Sequence, residues 1–215
     1  MNVLALDTAG PLPSVAVLAR GAVVEEPLPA QRQASEKLLA TVARVLDRAG
    51  ISLADCDRIA VCSGPGSFTG LRVGLSTAWG LGRALAIPVE EVSTLEVLAE
   101  AAREEGSPRV TAVLDAGRGE VVAAAFSLEG SRARQDGEAR RIPLEEAASL
   151  PGTVAALPAG LLGEKAFLPS VSLARTLALS VAAAPREDAG ARAGARVPRA
   201  IYSRPSAAEE KRGAP

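Results

Sequence analysis

Apolar residues recur along this chain with two periods, and the switching between them lays out a mixed α/β molecule. Short apolar runs at 3–6 and 14–19 flank the turn Asp7-Thr8-Ala9-Gly10-Pro11-Leu12-Pro13 and predict two buried strands joined as a hairpin. Leu38, Leu39, Val42, Val45, Leu46 and Ala49 then fall at helical spacing. They predict a helix over 35–49 that stops at Gly50, with Glu36, Ala40, Ala43, Arg44 and Asp47 facing away. A strand over 57–62, a helix over 71–87 and a helix opened by Ser93-Thr94-Leu95-Glu96 and closed at Gly106 follow. Strand and helix thus alternate through the first hundred residues. A second hairpin, 110–114 and 120–128 around Asp115-Ala116-Gly117-Arg118-Gly119, repeats the first: strand, acidic turn, strand, with Leu-Asp at the join. That resembles an internal duplication. Beyond it the pattern weakens. Residues 129–141 read as a polar loop, 144–150 as a short helix, 153–157 as a strand, 171–184 as a helix and 206–215 as a disordered tail.

The strand at 58–62 runs into the chain's densest local signal, Ser63-Gly64-Pro65-Gly66-Ser67-Phe68-Thr69-Gly70-Leu71-Arg72-Val73-Gly74. Gly64, Gly66 and Gly70 supply a tight turn, with positive φ expected at Gly66. Ser67 or Thr69 supplies the oxygen that caps the next helix. A strand, a glycine turn and a capped helix make an anion site by default. No Lys follows the last glycine, however, and the spacing G-x-G-x-x-x-G is one residue off the dinucleotide fingerprint. The plain reading, a turn that packs tightly, is the better one.

The following helix has no charged residue between Val73 and Gly82. Leu71, Leu75, Ala78, Gly82 and Leu85 form one stripe, and the opposite side, Val73, Thr77, Gly80 and Ala84, is equally uncharged. A helix apolar all round is normally buried on every side. Arg72 and Arg83 bracket a stretch too short for a membrane span. Gly74, Ala78 and Gly82 lie four apart and admit a close neighbour. Two readings stand: a central helix wrapped by its own domain, or one face closed by a partner protein.

Composition narrows the chemistry. With aromatics at 2%, the core of this 215-residue chain must be built from Ala, Val and Leu. A formal net charge of −1 provides no field to gather nucleic acid. There is no histidine, which removes His-dependent triads and zinc sites. Cys56 and Cys62 read as small buried residues, with no metal set and no cofactor expected. The opening residues reach Asp7 before any signal-peptide core, so a cytoplasmic location is expected. Asp7, Thr8 and Asp115 are candidates for a vestigial nucleotide cleft, two carboxylates facing one metal-bound nucleotide; the alternative is that each Asp bonds its own turn.

These residues also carry a family likeness. Gly64-Pro65-Gly66-Ser67-Phe68-Thr69-Gly70-Leu71-Arg72 with Gly74 resembles the signature of the bacterial TsaB family, also called YeaZ. Leu4-Ala5-Leu6-Asp7-Thr8, Ser35-Glu36-x-Leu38-Leu39, Ile87-Pro88-Val89, Ser93-Thr94-Leu95-Glu96, Asp115-Ala116 with Glu120-Val121, and Tyr202-x-Arg204 fit as well. The resemblance implies a two-lobed actin/sugar-kinase-like (ribonuclease-H-like) α/β fold, with a first lobe at 1–106, a reduced second lobe at 107–205 and the tail at 206–215. It implies a non-catalytic scaffold in the modification that places threonylcarbamoyl on the tRNA adenosine next to the anticodon. The implied partners are the catalytic, metal- and nucleotide-binding relative TsaD and the ATPase TsaE, with a homodimer when alone and tRNA reached only through the complex. Pairing through the first helices marks Glu36, Leu39, Ala40, Ala43, Arg72, Gly74, Leu75, Ala78, Trp79 and Gly82 as the expected partner surface. Three positions depart from the family pattern: Ala34 stands for a His, Gly117 for an Arg and Val122 for a Tyr. The other class of function is an enzyme, a nucleotide-dependent phosphotransferase of the same fold or a peptidase; the peptidase lacks a His base and a metal set.

Overall fold

A computed structural model describes residues 1–29, 31–184 and 201. The expected tail at 206–215 and the Tyr202–Arg204 pair lie outside the described residues. The elements run β1 (Val3–Asp7), β2 (Ser14–Ala19), β3 (Ala22–Pro27), α1 (Gln31–Ala49), β4 (Arg58–Cys62), α2 (Phe68–Leu85), β5 (Val89–Val92) and α3 (Thr94–Ala101). They continue with β6 (Arg109–Gly117), β7 (Glu120–Ser127), β8 (Arg134–Pro143), α4 (Leu144–Ala147), β9 (Thr153–Leu157), β10 (Ala166–Phe167) and α5 (Leu173–Ala183).

One topology occurs twice. The first sheet has the order β3-β2-β1-β4-β5 and the second β8-β7-β6-β9-β10. In each, the first three strands form an antiparallel meander and the last two add in parallel. The duplication read from two Leu-Asp hairpins therefore extends over both sheets. The closing helix of each half crosses to the other half: α3 packs on β6, β7 and β9, while α5 packs on β1, β2 and β4.

Alternation along the strands explains this layering. In β1, Val3 and Ala5 point into an interior shared with α3, α5 and the second sheet, and Leu4 and Leu6 point the other way, under α1 and α2. A strand buried on both faces loses the polar half of its pattern, which is why β1 reads as a continuous apolar run. The shared interior is lined by Ala5, Ala16, Ala60, Ala112, Ala124 and Ala155 from the sheets. Small side chains there let two helices fit between two sheets, and Phe126 is the one aromatic among its fully buried side chains.

Several elements differ from the pattern. The expected loop at 129–141 contains most of β8, in which only Ile142 is buried; an outer edge strand with one buried residue shows no apolar period. β3 and β5 carry no strand signal because polar or half-buried residues interrupt them; Glu90 in β5 is buried in ion pairs with Arg58 and Arg132. Leu39 leaves the core stripe of α1 and is 58% exposed, and Leu85 leaves that of α2. α2 begins at Phe68 rather than Leu71, with Ser67 as its cap: the hydroxyl accepts from the Gly70 amide at 3.3 Å. The expected capping box of α3 does not form. Ser93 makes no side-chain cap bond; its hydroxyl donates to the Gly64 carbonyl at 3.2 Å, and Glu96 pairs with Arg132.

Candidate functional site

The glycine turn sits at the ends of β1 and β4, where the first hairpin turn and the start of α2 meet. Gly64 has φ +105°, and the Ile201 backbone carbonyl occupies the place its Cβ would take. The Ile201 amide donates to the Ser63 carbonyl at 2.7 Å. Gly66 does not adopt the positive φ expected of it. It is glycine because a Cβ there would strike the Ala9 carbonyl. Gly70 and Gly74 follow at intervals of four; a Cβ at Gly70 would strike the Thr8 carbonyl, and one at Gly74 the Thr8 hydroxyl. The spacing of 66, 70 and 74 is therefore a seat for Thr8 and Ala9.

Hydrogen bonds close that seat. The Ser67 amide donates to the Ala9 carbonyl at 2.9 Å, and the Thr8 hydroxyl donates to the Gly70 carbonyl at 2.6 Å. The Leu71 amide donates to the Ser67 carbonyl at 2.8 Å. Amides that a phosphate loop would offer to a ligand here hold the chain to itself. Thr69 is exposed on the first turn of α2.

The two aspartates each serve their own turn. Asp7 is fully buried, and its Oδ1 accepts the amides of Ala9 at 3.0 Å and Gly10 at 2.9 Å. Its Oδ2 is sealed without a hydrogen bond of ordinary geometry. Asp115 is exposed, and its Oδ1 accepts the Gly117 amide at 2.7 Å. A cleft of about 190 Å³ lies between the turns, lined by Ala9, Gly10, Gly66, Ser67, Leu114 and Asp115 among others. Asp115 faces it; Thr8 is buried under α2.

Burial raises the Asp7 carboxyl to about 6, against the opposing pull of the Gly10 and Ala9 amides and the Cys62 thiol. Burial, with the Asp7 charge beside it, also pushes the Cys62 thiol well up. The folded state then holds the Asp7 proton more tightly than the unfolded chain does. This stabilisation is complete below the ordinary carboxylate value of 3.8 and is lost as pH rises through about 6. The loss is on the order of 3 kcal/mol. Asp7→Asn keeps an acceptor for both amides and removes the charge, so chemical denaturation should show this slope between pH 4 and 6 in the wild type and a flatter profile in the variant. An unchanged slope would assign the pH dependence to other groups.

The faces of α2 resolve the two readings of that helix. Leu71, Gly74, Leu75, Ala78 and Gly82 are buried against the chain's own sheet, with Gly74 over Thr8 and Val61 and Gly82 over Val89. The expected partner surface therefore divides. Gly74, Leu75, Ala78 and Gly82 are covered by the domain itself. Glu36, Leu39, Ala40, Ala43 and Arg72 are exposed, and Trp79 is half-buried with its indole N–H donating to Glu91 at 2.7 Å. The Arg72 guanidinium lies 3.9 Å over the Phe68 ring. On the outward side of α2, Val73 and Thr77 are half-buried, and Ser76, Gly80 and Ala84 are exposed. None of these carries a charge.

Arg44 and Arg48 of α1 reach Glu26 on β3, and Trp79 of α2 reaches Glu91 near the opposite edge of the sheet. Arg44 and Arg48 are thus turned toward β3. Leu39, Ala43 and Gly80 are exposed uncharged positions and Val73 and Thr77 half-buried ones, while Glu36, Asp47, Arg72 and Arg83 are exposed charges on the same helices. The sequence left open whether the stripe Gly74, Ala78 and Gly82 meets a foreign helix or the chain's own domain, because Gly and Ala fit a β-sheet as well as a helix; the structure seats it on the sheet.

A duplicated five-stranded unit of this topology, with each closing helix crossed to the other half, defines a ribonuclease-H-like chain of the actin and sugar-kinase class. The family model for TsaD, tRNA N6-adenosine threonylcarbamoyltransferase, matches residues 19–197. The tRNA threonylcarbamoyladenosine biosynthesis protein TsaB of Escherichia coli (strain K12) is 39% identical over 130 residues, 60% of this chain and 56% of that protein. The corresponding protein of Bacillus subtilis (strain 168) is 30% identical over 136 residues, covering 63% and 59%. The chain spans little more than half the length of these curated relatives. Among solved structures, YeaZ from Pseudomonas aeruginosa superposes with a TM-score of 0.70 at 33% identity, covering 84% of this chain and 90% of that one. A Pseudomonas aeruginosa protein described as similar to peptidase YeaZ gives 0.74 at 34% identity, with 94% and 99% covered. The chain belongs to the TsaB/YeaZ family.

Proposed function

We propose that this chain is a non-catalytic subunit of the assembly that makes threonylcarbamoyladenosine on tRNA, and that it binds a TsaD-type catalytic relative through the outward side of α1 and α2. The observation that carries the reading is that side's composition: Leu39 is 58% exposed and Ser76, Thr77, Gly80 and Ala84 bear no charge. An exposed strip without charge between Arg72 and Arg83 is a surface suited to cover by a partner helix pair. The closed glycine seat supports the non-catalytic half of the reading, since the Ser67, Gly70 and Leu71 amides and Asp7 Oδ1 are committed to the chain's own turns. A TsaE-type ATPase would join the pair, a homodimer would form without it, and tRNA would be met through the complex.

A second reading, catalysis by this chain, draws on the transferase description of the matched family model. Reconstitution separates the two. With a TsaD-type relative, a TsaE-type ATPase and a supply of threonylcarbamoyl donor, modification of tRNA should require this chain. The chain alone should neither modify tRNA nor hydrolyse ATP. Turnover by the isolated chain that survives repurification and disappears in Asp115→Ala would overturn the scaffold reading.

A further inference from the structure

The two sheets are tied together by a line of charges that neither the cleft nor the α1–α2 surface uses. Glu90 of β5, in the first sheet, is buried between two guanidinium groups. Arg58 of its own sheet approaches Oε2 at 3.3 Å, and Arg132, from the β7–β8 loop of the second half, approaches Oε1 at 2.5 Å. Arg132 also reaches Glu96 of α3 at 2.7 Å, so one side chain joins β5, α3 and the second sheet's loop. Arg58 goes on to donate to the Val181 carbonyl in the last turn of α5 at 3.4 Å.

The same loop is held twice more. Arg103, just past α3, donates to the carbonyls of Leu128 at 2.5 Å and Gly130 at 3.3 Å. Glu100, itself buried and paired with Arg103 at 2.9 Å, accepts the Ala133 amide. Among the described residues three arginines meet three glutamates, so their charges balance and the members are hydrogen-bonded, the condition under which buried charge is tolerated. At the first sheet's opposite edge, Ser172 and Arg175 at the start of α5 both engage Glu25 of β3. The crossed helix α5 is therefore anchored at both of its ends, and α3 through Glu96 and Glu100 at the β7–β8 loop.

We propose that this network is a lock that holds the two halves in one fixed orientation, so that the cleft between their turns neither opens nor closes. Arg132 is its keystone. Two halves joined by a cleft have hinge motion as the default expectation. Here such motion would have to pull Arg132, which Glu96 of α3 and the loop contacts hold to the second half, from the buried carboxylate of Glu90. The consequence is a rigid body whose outer surfaces keep their spacing whatever enters the cleft. This holds whether or not the α1–α2 surface meets the partner named above.

The test is a distance measured across the halves. Exposed Asp47 on α1 and Glu138 on β8 are replaced by Cys and spin-labelled in the full chain; Cys56 and Cys62 are buried. Pulsed electron double resonance should give one narrow distance distribution that magnesium-ATP does not move. Arg132→Met should broaden it or add a second distance, and Arg132→Lys, which keeps the charge, should broaden it less. If Arg132→Met does not fold, Glu96→Gln removes one arm of the same keystone and should broaden the distribution in its place. A broad, bimodal or nucleotide-shifted distribution without these substitutions would overturn the lock. So would a folded Arg132→Met variant as narrow as its parent.

Discussion

Ala78→Arg is expected to abolish the cooperative thermal transition of the chain, with or without a partner. Ala78 is fully buried in the middle of α2, in the cluster that contains Leu4, Leu6, Val15, Ile59 and Val61. Its neighbours on the stripe, Gly74 and Gly82, already leave no room for a Cβ against Thr8 and Val89. An Arg there has neither space nor a counter-charge, and an unpaired buried charge costs several kcal/mol, comparable to the whole stability of a domain. Circular dichroism against temperature checks it. A wild-type transition would show that α2 can lift from the sheet, and would return the stripe to a partner.

The second large effect is at Gly70. Gly70→Ala adds a single methyl group, yet that methyl points at the Thr8 carbonyl, which belongs to the backbone and cannot rotate away. The start of α2 must shift, which would stretch the 2.6 Å bond from the Thr8 hydroxyl to the Gly70 carbonyl. The expected loss is about 3 kcal/mol, a fall in midpoint of roughly 6–12 °C for a chain this size. Gly80 is the internal control. It lies in the same helix with open space around its Cβ position, so Gly80→Ala should gain up to about 1 kcal/mol of helix propensity. Shifts of opposite sign separate a steric seat from a general need for glycine. If both variants melt alike, the seat does not constrain the helix.

The strands were legible wherever burial on both faces wrote a continuous apolar run, as in β1, β2, β4 and β9. β8 was not legible, because an edge strand with only Ile142 buried carries no period. β5 was hidden by Glu90, whose burial depends on arginines 32 positions before it and 42 after it in the chain. The glycine motif was read correctly as a tight turn, but for a reason only half right: Gly64 needs positive φ, whereas Gly66 needs the absence of a Cβ against Ala9. Single-sequence reasoning sees conformational need and not the neighbour that arrives from sixty residues away. The same limit left the faces of α2 open. An uncharged helix does not say which side its own domain covers, and the sheet assigns Leu71, Gly74, Leu75, Ala78 and Gly82 to the inside. Leu39 shows the converse, a residue at core spacing that the fold leaves at the surface.

The central claim is that the outward side of α1 and α2 is the partner surface while the inward side belongs to the fold. Titration calorimetry of the Ala43→Arg/Gly80→Arg double variant against the TsaD-type relative, beside a melt of the same preparation, tests it most directly. Both positions are exposed, and Gly80 has open space, so the transition should stay within a few degrees of wild type. Association should weaken at least about a hundredfold, or about 2.7 kcal/mol, because two charges would be desolvated in the contact. A folded double variant that binds with wild-type affinity would contradict the account.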